Sequence, residues 1–243
     1  GGDTITVGWT AGNFGTSETD EPNWFDRVVL SANDIYGDDD DIHVGSKQHI
    51  GSLPVGQTYT TSLDVTLPLD LEGLYYIFVE TDELGDVFEF TLTDNNVSRS
   101  TDPLDVALAQ LPDVVVENLT ASAPVNGDVT LNWTTANRGT GAATGGFSER
   151  IFVRNETTNT VVLDTIVPVS GDLAANGTLA GSQIVNVATA GRYSVTVTTD
   201  NADAHFEYNG IGHLDAEQNN STQSFFDVAL DLTVGNLVVT PGS

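Results

Sequence analysis

Gly191-Arg-Tyr193-Ser-Val195-Thr-Val197 and Gly73-Leu-Tyr75-Tyr-Ile77-Phe-Val79 are two copies of one pattern, a glycine followed by a tyrosine and then by alternating apolar residues. Apolar residues at every second position are typical of a β-strand with one buried face. A tyrosine just inside a late strand, after a glycine turn, indicates the tyrosine corner of immunoglobulin-like sandwiches. The two stretches therefore predict an all-β protein built from immunoglobulin-like β-sandwiches.

Other segments also occur twice, at offsets of 118 to 124 residues. The matched pairs are Ile5/Val7/Trp9 with Val129/Leu131/Trp133, Trp24–Leu30 with Phe147–Val153, and Asp105–Leu108 with Asp227–Leu230. Self-similarity at a long period indicates a tandem array. We predict two tandem sandwiches, residues 1–109 and residues 112–230, joined by a linker too short to act as a flexible tether.

The frame of the repeat predicts a strand that is shared between copies. Asp113–Leu119 opens repeat 2, whereas repeat 1 begins without such a strand. Residues 231–243 resemble that first strand and have no sandwich of their own, and their interface side chains are Asp231, Leu232, Val234, Leu237 and Val239. A strand that completes a neighbour's open sheet gives a head-to-tail contact, which propagates into a filament. Separate subunits could donate this strand, or one giant polypeptide could repeat it covalently.

The charge balance restricts the possible partners. The chain has 35 Asp and Glu against 7 Lys and Arg, a net charge of −28. Nucleic acid and anionic membranes are excluded as natural partners because both require a basic face. The chain contains no cysteine and no apolar run long enough to span a bilayer. Acidity of this kind fits an extracellular protein that binds divalent cations or lives in high salt.

Several segments resemble a known family of repeats. They are Asp113-Val-Val-Val-Glu-Asn-Leu119, Trp133-Thr-Thr-Ala-Asn-Arg-Gly139, Phe25-Asp-Arg-Val-Val-Leu-Ser31, Gly73–Asp82 and Asn95-Asn96. Together they are similar to the cell-adhesion-related repeat of bacteria and archaea called CARDB, over most of both copies. The resemblance implies secreted, multi-repeat surface proteins with immunoglobulin-like modules and no catalytic activity. We expect the partners of this chain to be further copies of itself and cell-surface or matrix components.

Catalytic motifs are lacking. There are four histidines, and no nucleophile elbow, zinc-protease helix or phosphate-binding loop. We therefore expect no enzyme, and we expect a structural subunit of an extracellular filament, stalk or matrix fibre. The alternatives are an adhesin that recognises a glycan or protein, and an accessory domain of an exoenzyme. The candidate surface rings for an adhesin are Trp24, Tyr36, Tyr76, Phe78 and Tyr208.

Calcium is the candidate cofactor, because closely spaced carboxylates and amides supply the oxygen ligands that it requires. The densest loop contains Asp34, Asp38, Asp40 and Asp41. A second group lies between the last two strands of each repeat, at Asp82, Asp86, Glu89 and Asp94 and at Asp200, Asp203 and Glu217. The alternatives are a solvated hairpin for the first loop, and turns whose aspartates bind their own backbone for the second group.

Two of the seven Asn-x-Ser/Thr sequons fall in predicted loops, at Asn155 and Asn176. We expect these two to be the accessible positions if the source glycosylates its exported proteins.

Overall fold

The computed structural model describes residues 1–90, 93–230 and 235. It divides into two compact units, Gly1–Ala109 and a second unit that begins at Gln110. In both units antiparallel strands form two sheets around an apolar core. The predicted all-β, immunoglobulin-like class is confirmed. Gln110, Leu111 and Pro112 belong to the second unit, where Leu111 is buried and accepts a hydrogen bond from Gly141 N.

Over its described residues the second unit has seven strands and one short helix. The strands are β8 (Val114–Ala121), β9 (Asp128–Asn137), β10 (Phe147–Asn155), β11 (Thr160–Val169), β12 (Thr178–Asn186), β13 (Gly191–Thr198) and β14 (Ser221–Val228), and α1 is His213–Gln218. One sheet has the order β11-β10-β13-β14 and the other has the order β12-β9-β8. The strand β9 is thus paired along both edges.

The core of the second unit consists of a main cluster of twelve buried residues, drawn from both sheets, and a smaller cluster of four, Val114, Ala143, Phe147 and Leu173. From β9 the main cluster receives Val129, Leu131 and Trp133, which are at most 5% exposed. Strand β8 contributes Val116 and Leu119 to the same cluster. Strand β8 therefore covers the part of this core that lies beside β9.

In residues 1–90 and 93–109 the first unit has seven strands, two of them short. They are β1 (Thr4–Gly12), β2 (Asn23–Ser31), β3 (Ile42–Ile50), β4 (Thr58–Thr66), β5 (Gly73–Glu80), β6 (Val97–Arg99) and β7 (Leu104–Val106). The order β3-β2-β5-β6 forms one sheet, in which β7 also pairs with β5, and β1 pairs with β4 in the other. Position by position, β1 to β7 correspond to β9 to β14, with β6 and β7 sharing the place of β14.

The core clusters of the first unit are smaller than the main cluster of the second. In the first unit the buried residues form one cluster of four and another of three. Ile5 and Trp9 on β1 remain partly exposed, whereas the matched Val129 and Trp133 are buried. The difference arises because, among the described residues, β1 has a strand neighbour on one edge only.

The tyrosine corner is present in the second unit and weaker in the first. Tyr193 is 1% exposed, and its hydroxyl donates to the carbonyl of Thr189 at 2.5 Å. The hydroxyl of Tyr75 lies 3.4 Å from the carbonyl of Glu72 at an exposed position. The same sequence pattern thus makes a buried hydrogen bond in one unit and a marginal one in the other.

Candidate functional site

The free edge of β1 is the most prominent difference between the two units. In the second unit β8 pairs with β9, with Val116 opposite Thr135 and Glu117 opposite Thr134. The matched positions on β1 are Ala11 and Thr10, which the described residues pair on the other side only, with Tyr59 and Thr60. An unpaired strand edge offers a row of backbone donors and acceptors to another strand.

Three side chains anchor β8 in the second unit. The side-chain oxygen of Asn137 accepts from Asp113 N at 3.1 Å, Glu207 Oε1 accepts from Val114 N at 3.2 Å, and Thr222 Oγ1 donates to Val116 O at 2.5 Å. These contacts hold the strand at its start and in its middle. The strand is therefore fixed by side chains as well as by its ladder.

The first unit carries polar side chains at the same three positions, namely Asn13, Glu89 and Ser98. Asn13 keeps the other contacts of Asn137, because its amide nitrogen donates to the carbonyls of Ser17 and Leu53. Its side-chain oxygen accepts from Gly15 N, as that of Asn137 accepts from Gly139 N, but among the described residues it has no second donor corresponding to Asp113 N. The anchors of a first strand are therefore present beside β1.

The proposed donor segment matches β8 at an offset of 118. Asp231, Leu232, Val234, Leu237 and Val239 correspond to Asp113, Val114, Val116, Leu119 and Ala121. In the second unit the first four of these counterparts are at most 8% exposed. The five residues of the donor segment itself lie outside the described residues.

Each unit contains a buried carboxylate that bonds an indole across the core, and sequence reasoning missed both. Asp26 is fully buried and accepts from Trp9 Nε1 at 2.7 Å, from the Tyr59 hydroxyl at 2.6 Å and from the Thr81 hydroxyl at 2.7 Å. These donors come from β1, β4 and the end of β5. The carboxylate therefore joins the two sheets of the first unit.

Glu149 performs the matched role in the second unit. It is 4% exposed, accepts from Trp133 Nε1 at 3.2 Å and is bonded by the Thr135 hydroxyl. Burial raises the pKa of Glu149, and the two donors oppose that shift. The sequence signal that could have identified these carboxylates is an acidic residue at the same inward-facing position of both copies, on strands whose other inward-facing residues are apolar.

The loop before β3 brings three carboxylates together. Ligand atoms of Asp38, Asp40 and Asp41 lie within 4.8 Å of one another. A hydrogen bond between Asp38 and Asp40 raises the pKa of Asp40 and lowers that of Asp38, as expected for two carboxyls that share a proton. Asp34 lies apart from the three, exposed and 3.3 Å from Arg99. The carboxylates of Asp38, Asp40 and Asp41 are close enough together for one cation to contact all three.

The loops after β5 and β13 have one architecture. Asp82 and Asp200 both have positive φ, at 53° and 38°. Asp82 accepts from the backbone N–H groups of Asp86 and Val87, and Asp200 from those of Ala204 and His205. The two carboxylates therefore organise their own turns, which is the role of the turn aspartates considered above.

The remaining predicted metal ligands are dispersed or paired differently. Asp86, Asp94 and Asp203 are exposed, and Glu89 accepts from Asn96 at 2.5 Å. Glu217 on α1 lies 3.4 Å from both His213 and the backbone N–H of Glu207. Among the described residues, the triad at Asp38, Asp40 and Asp41 is the one group of three His, Cys, Asp or Glu side chains with ligand atoms so close together.

Two expectations about accessible side chains need correction. Asn155 is 1% exposed because its oxygen accepts from the N–H groups of Thr157 and Thr158 and so shapes the turn after β10, whereas Asn176 is exposed. Trp24 and Phe78 are each 4% exposed, since both face the interior. Among the described residues of the first unit, the most exposed phenylalanine rings are instead Phe14, Phe88 and Phe90, at 81%, 75% and 81% exposure.

Within the described part of the chain, none of the helices has the length and apolar character that crossing a bilayer would require. No protein-family model matches the chain, and the search of curated proteins found no match.

Several solved structures are similar to parts of the chain. The CARDB domain of the PF1109 protein from Pyrococcus furiosus, described as a complex with di-metal ions, is 18% identical over 49% of this chain and 90% of its own, with a TM-score of 0.38. Red sea bream transglutaminase is 12% identical over 95% of this chain and 30% of its own, with a TM-score of 0.35. The calcium binding domain CBD12 of CALX1.1 is 10% identical over 81% of this chain and 73% of its own, with a TM-score of 0.24. The resemblance to CARDB repeats is thus confirmed at the level of the fold alone.

Proposed function

We propose that this chain is a structural subunit or repeat of an extracellular filament, stalk or matrix fibre, assembled head to tail. The free edge of β1 receives residues 231–239 of a neighbouring copy as its first strand. The observation that carries the proposal is the contrast between two matched strands: within the described residues, β9 has a strand neighbour on both edges and β1 has one on a single edge. The proposal includes no catalysis.

The chemistry of the edge supports strand addition as the mode of assembly. The incoming strand would bring Val234 and Leu237 over the partly exposed Ile5 and Trp9, as Val116 and Leu119 pack in one cluster with Val129 and Trp133 in the second unit. Fully burying each such aliphatic side chain contributes about 1.5–3 kcal/mol. Asn13, Glu89 and Ser98 are placed to bind its backbone.

Disulfide trapping tests this pairing and its register. The chain has no cysteine, so Thr10→Cys with Gly235→Cys introduces a single pair at the positions that match Thr134 and Glu117 on β9 and β8. Mild oxidation should give a ladder of covalent multimers on non-reducing denaturing gels. The register control, Thr6→Cys with Gly235→Cys, should give no ladder. A trapped pair that forms only within single chains, or equal ladders from both pairs, would contradict the proposal.

Substitutions in the donor segment test the apolar contact. Val234→Asp matches the buried Val116 and should abolish assembly in sedimentation and negative-stain electron microscopy. Val238→Asp matches the exposed Thr120 and is the matched control. Denaturing electrophoresis of native material then distinguishes the two forms of the polymer, since separate subunits run near 25.7 kDa and one giant polypeptide runs far above it.

We also propose that calcium binds at Asp38, Asp40 and Asp41. Three carboxylates at short range repel one another, and a divalent cation relieves this repulsion. Calcium should raise the melting temperature of the wild-type chain relative to chelator, and Asp40→Asn should reduce that rise. Asp39→Asn is the matched control, because Asp39 is exposed and lies outside the triad. An equal response from both variants would remove this site.

An adhesin is the second candidate, favoured by the exposed rings of Phe88 and Phe90, whose centroids lie 6.5 Å apart. Exposed rings of this kind can stack on sugars or on an apolar partner. Binding of the chain to glycans or host surfaces that is lost in Phe88→Ala would support this function, and unchanged binding would exclude the ring pair from it.

A further inference from the structure

The loop between β13 and β14 contains buried side-chain oxygens that lack a hydrogen-bond donor among the described residues. They are Glu207 Oε2, Asn219 Oδ1 and Asn220 Oδ1. Glu207 is fully buried and Asn220 is 4% exposed. A buried polar atom without a partner is costly, and native structures contain few of them. Three acceptors within one loop therefore indicate a missing positive group.

The hydrogen bonds of the side-chain amide nitrogens fix the amide orientations of Asn219 and Asn220. Asn219 Nδ2 donates to Asp113 Oδ1 at 2.9 Å, and Asn220 Nδ2 donates to Glu217 Oε2 at 3.5 Å. A flip of either amide would place its oxygen against a carboxylate. The unpartnered atoms are therefore oxygens, which are acceptors and cation ligands.

Glu207 lies in a strongly negative environment. Its Oε1 accepts from Val114 N at 3.2 Å, and the Glu217 carboxylate lies 3.4 Å from its backbone nitrogen. Among the described residues neither carboxylate pairs with an arginine or a lysine, and the one histidine contact is that of His213 Nδ1 with Glu217 Oε1 at 3.4 Å, an ion pair only when the imidazole is protonated.

The first unit provides an internal comparison. There Glu89 Oε2 and Asn96 Nδ2, which match Glu207 and Asn220, bond directly at 2.5 Å. In the second unit the loop is longer, with the repeat offset rising from 118 before it to 124 after it. The extra residues supply α1 and Glu217, which takes the amide of Asn220 and leaves Glu207 Oε2 without a donor. The longer loop thus contains a second carboxylate, that of Glu217, whereas in the shorter loop Glu89 and Asn96 form one direct hydrogen bond.

We propose that this loop binds a divalent cation, best matched by Ca²⁺, through the carboxylates of Glu207 and Glu217 and the side-chain oxygen of Asn220. Carboxylate and amide oxygens are the ligands that Ca²⁺ takes, at six to eight positions with water among them. A cavity of about 240 Å³, lined by Asp203, His205, Phe206, His213 and Glu217, adjoins the site and gives room for the water ligands.

The bound cation would lock the loop onto the first strand of the second unit. Glu207 holds Val114 N at the start of β8, and Asn219 holds the Asp113 side chain just before it. The bound cation would therefore connect Glu217 on α1 and Asn220, just before β14, to the start of β8. It depends neither on strand exchange at β1 nor on the triad of Asp38, Asp40 and Asp41.

Calorimetric titration of the full chain with CaCl₂ tests the site, in an Asp40→Asn background that weakens the triad. We expect one binding event that Glu207→Gln weakens by at least about tenfold, the loss that even an outer-shell partner can cause. Glu89→Gln, the same change at the matched position of the first unit, should leave this event unchanged.

Nuclear magnetic resonance gives a readout that does not depend on the stability of the variant. In Asp40→Asn, Ca²⁺ should shift the backbone amide of Val114 and the side-chain amide of Asn220, and Mg²⁺ should shift them less. Equal affinity in Glu207→Gln and Glu89→Gln, or a titration in which neither amide moves, would overturn the proposal. If Glu207→Gln does not fold, Glu217→Gln is measured in its place against the same control.

Discussion

Removing the carboxylate of Asp26 should destabilise the first unit strongly. The side chain is fully buried and receives three hydrogen bonds of 2.6–2.7 Å, from Trp9, Tyr59 and Thr81. In Asp26→Ala all three donors lose their acceptor inside the sandwich. At about 1–1.5 kcal/mol for each bond, we expect the free energy of unfolding to fall by about 3–4 kcal/mol.

Asp26→Asn separates the hydrogen bonds from the charge. Its side-chain oxygen still accepts from Trp9 and Tyr59, and its amide can donate to the Thr81 hydroxyl, which can also act as an acceptor. We therefore expect a loss of about 1 kcal/mol, well below that of the alanine variant. Asp105→Ala, at an exposed position of β7, should change stability by less than about 0.5 kcal/mol.

Urea denaturation followed by tryptophan fluorescence measures these differences. In a Trp133→Phe background the two remaining tryptophans, Trp9 and Trp24, both report on the first unit. The urea midpoint should be highest for Asp105→Ala, lower for Asp26→Asn and lowest for Asp26→Ala. A midpoint for Asp26→Ala equal to that of Asp105→Ala would refute the role of this carboxylate as a link between the sheets.

Three further predictions concern the same two cores. Tyr193→Phe should lower the free energy of unfolding by about 1 kcal/mol in thermal unfolding, because it removes the hydrogen bond from the tyrosine hydroxyl to the carbonyl of Thr189. Tyr75→Phe should lower it by less than half of that, and equal losses would contradict the difference between the two tyrosine corners. Gly181→Ala should cost more than about 3 kcal/mol, since the added Cβ would lie 2.1 Å from the indole opposite it, whereas Gly212→Ala meets no atom within 4 Å and should be neutral. Because burial raises the pKa of Glu149, the folded state holds that proton more tightly than the unfolded chain, so the stability due to the protonated side chain is lost as the pH rises through the raised pKa. The wild type should therefore lose stability relative to Glu149→Gln as the pH rises above the ordinary pKa of a glutamate, and a constant difference would count against the shift.

The acidic loops show where local sequence stops being informative. A run of aspartates identifies a dense negative loop, but the turn geometry decides that Asp38, Asp40 and Asp41 converge while Asp34 turns to Arg99. From sequence, Asp82 and Asp200 could be either metal ligands or turn residues, and in the structure both accept hydrogen bonds from backbone N–H groups of their own turns. Which oxygen faces a neighbour depends on φ and ψ at each residue, and composition does not record these angles.

By itself the sequence determined the strand pattern, the repeat and the sandwich class, because burial of alternate side chains follows directly from the two-residue period of a strand. Only the tertiary structure decided that Asp26 and Glu149 are interior residues. Alternation places both on the inward face, yet a buried carboxylate is stable only when donors surround it, and those of Asp26 come from positions 9, 59 and 81. Their convergence depends on how the two sheets pack, and the order of residues along one strand does not contain that information.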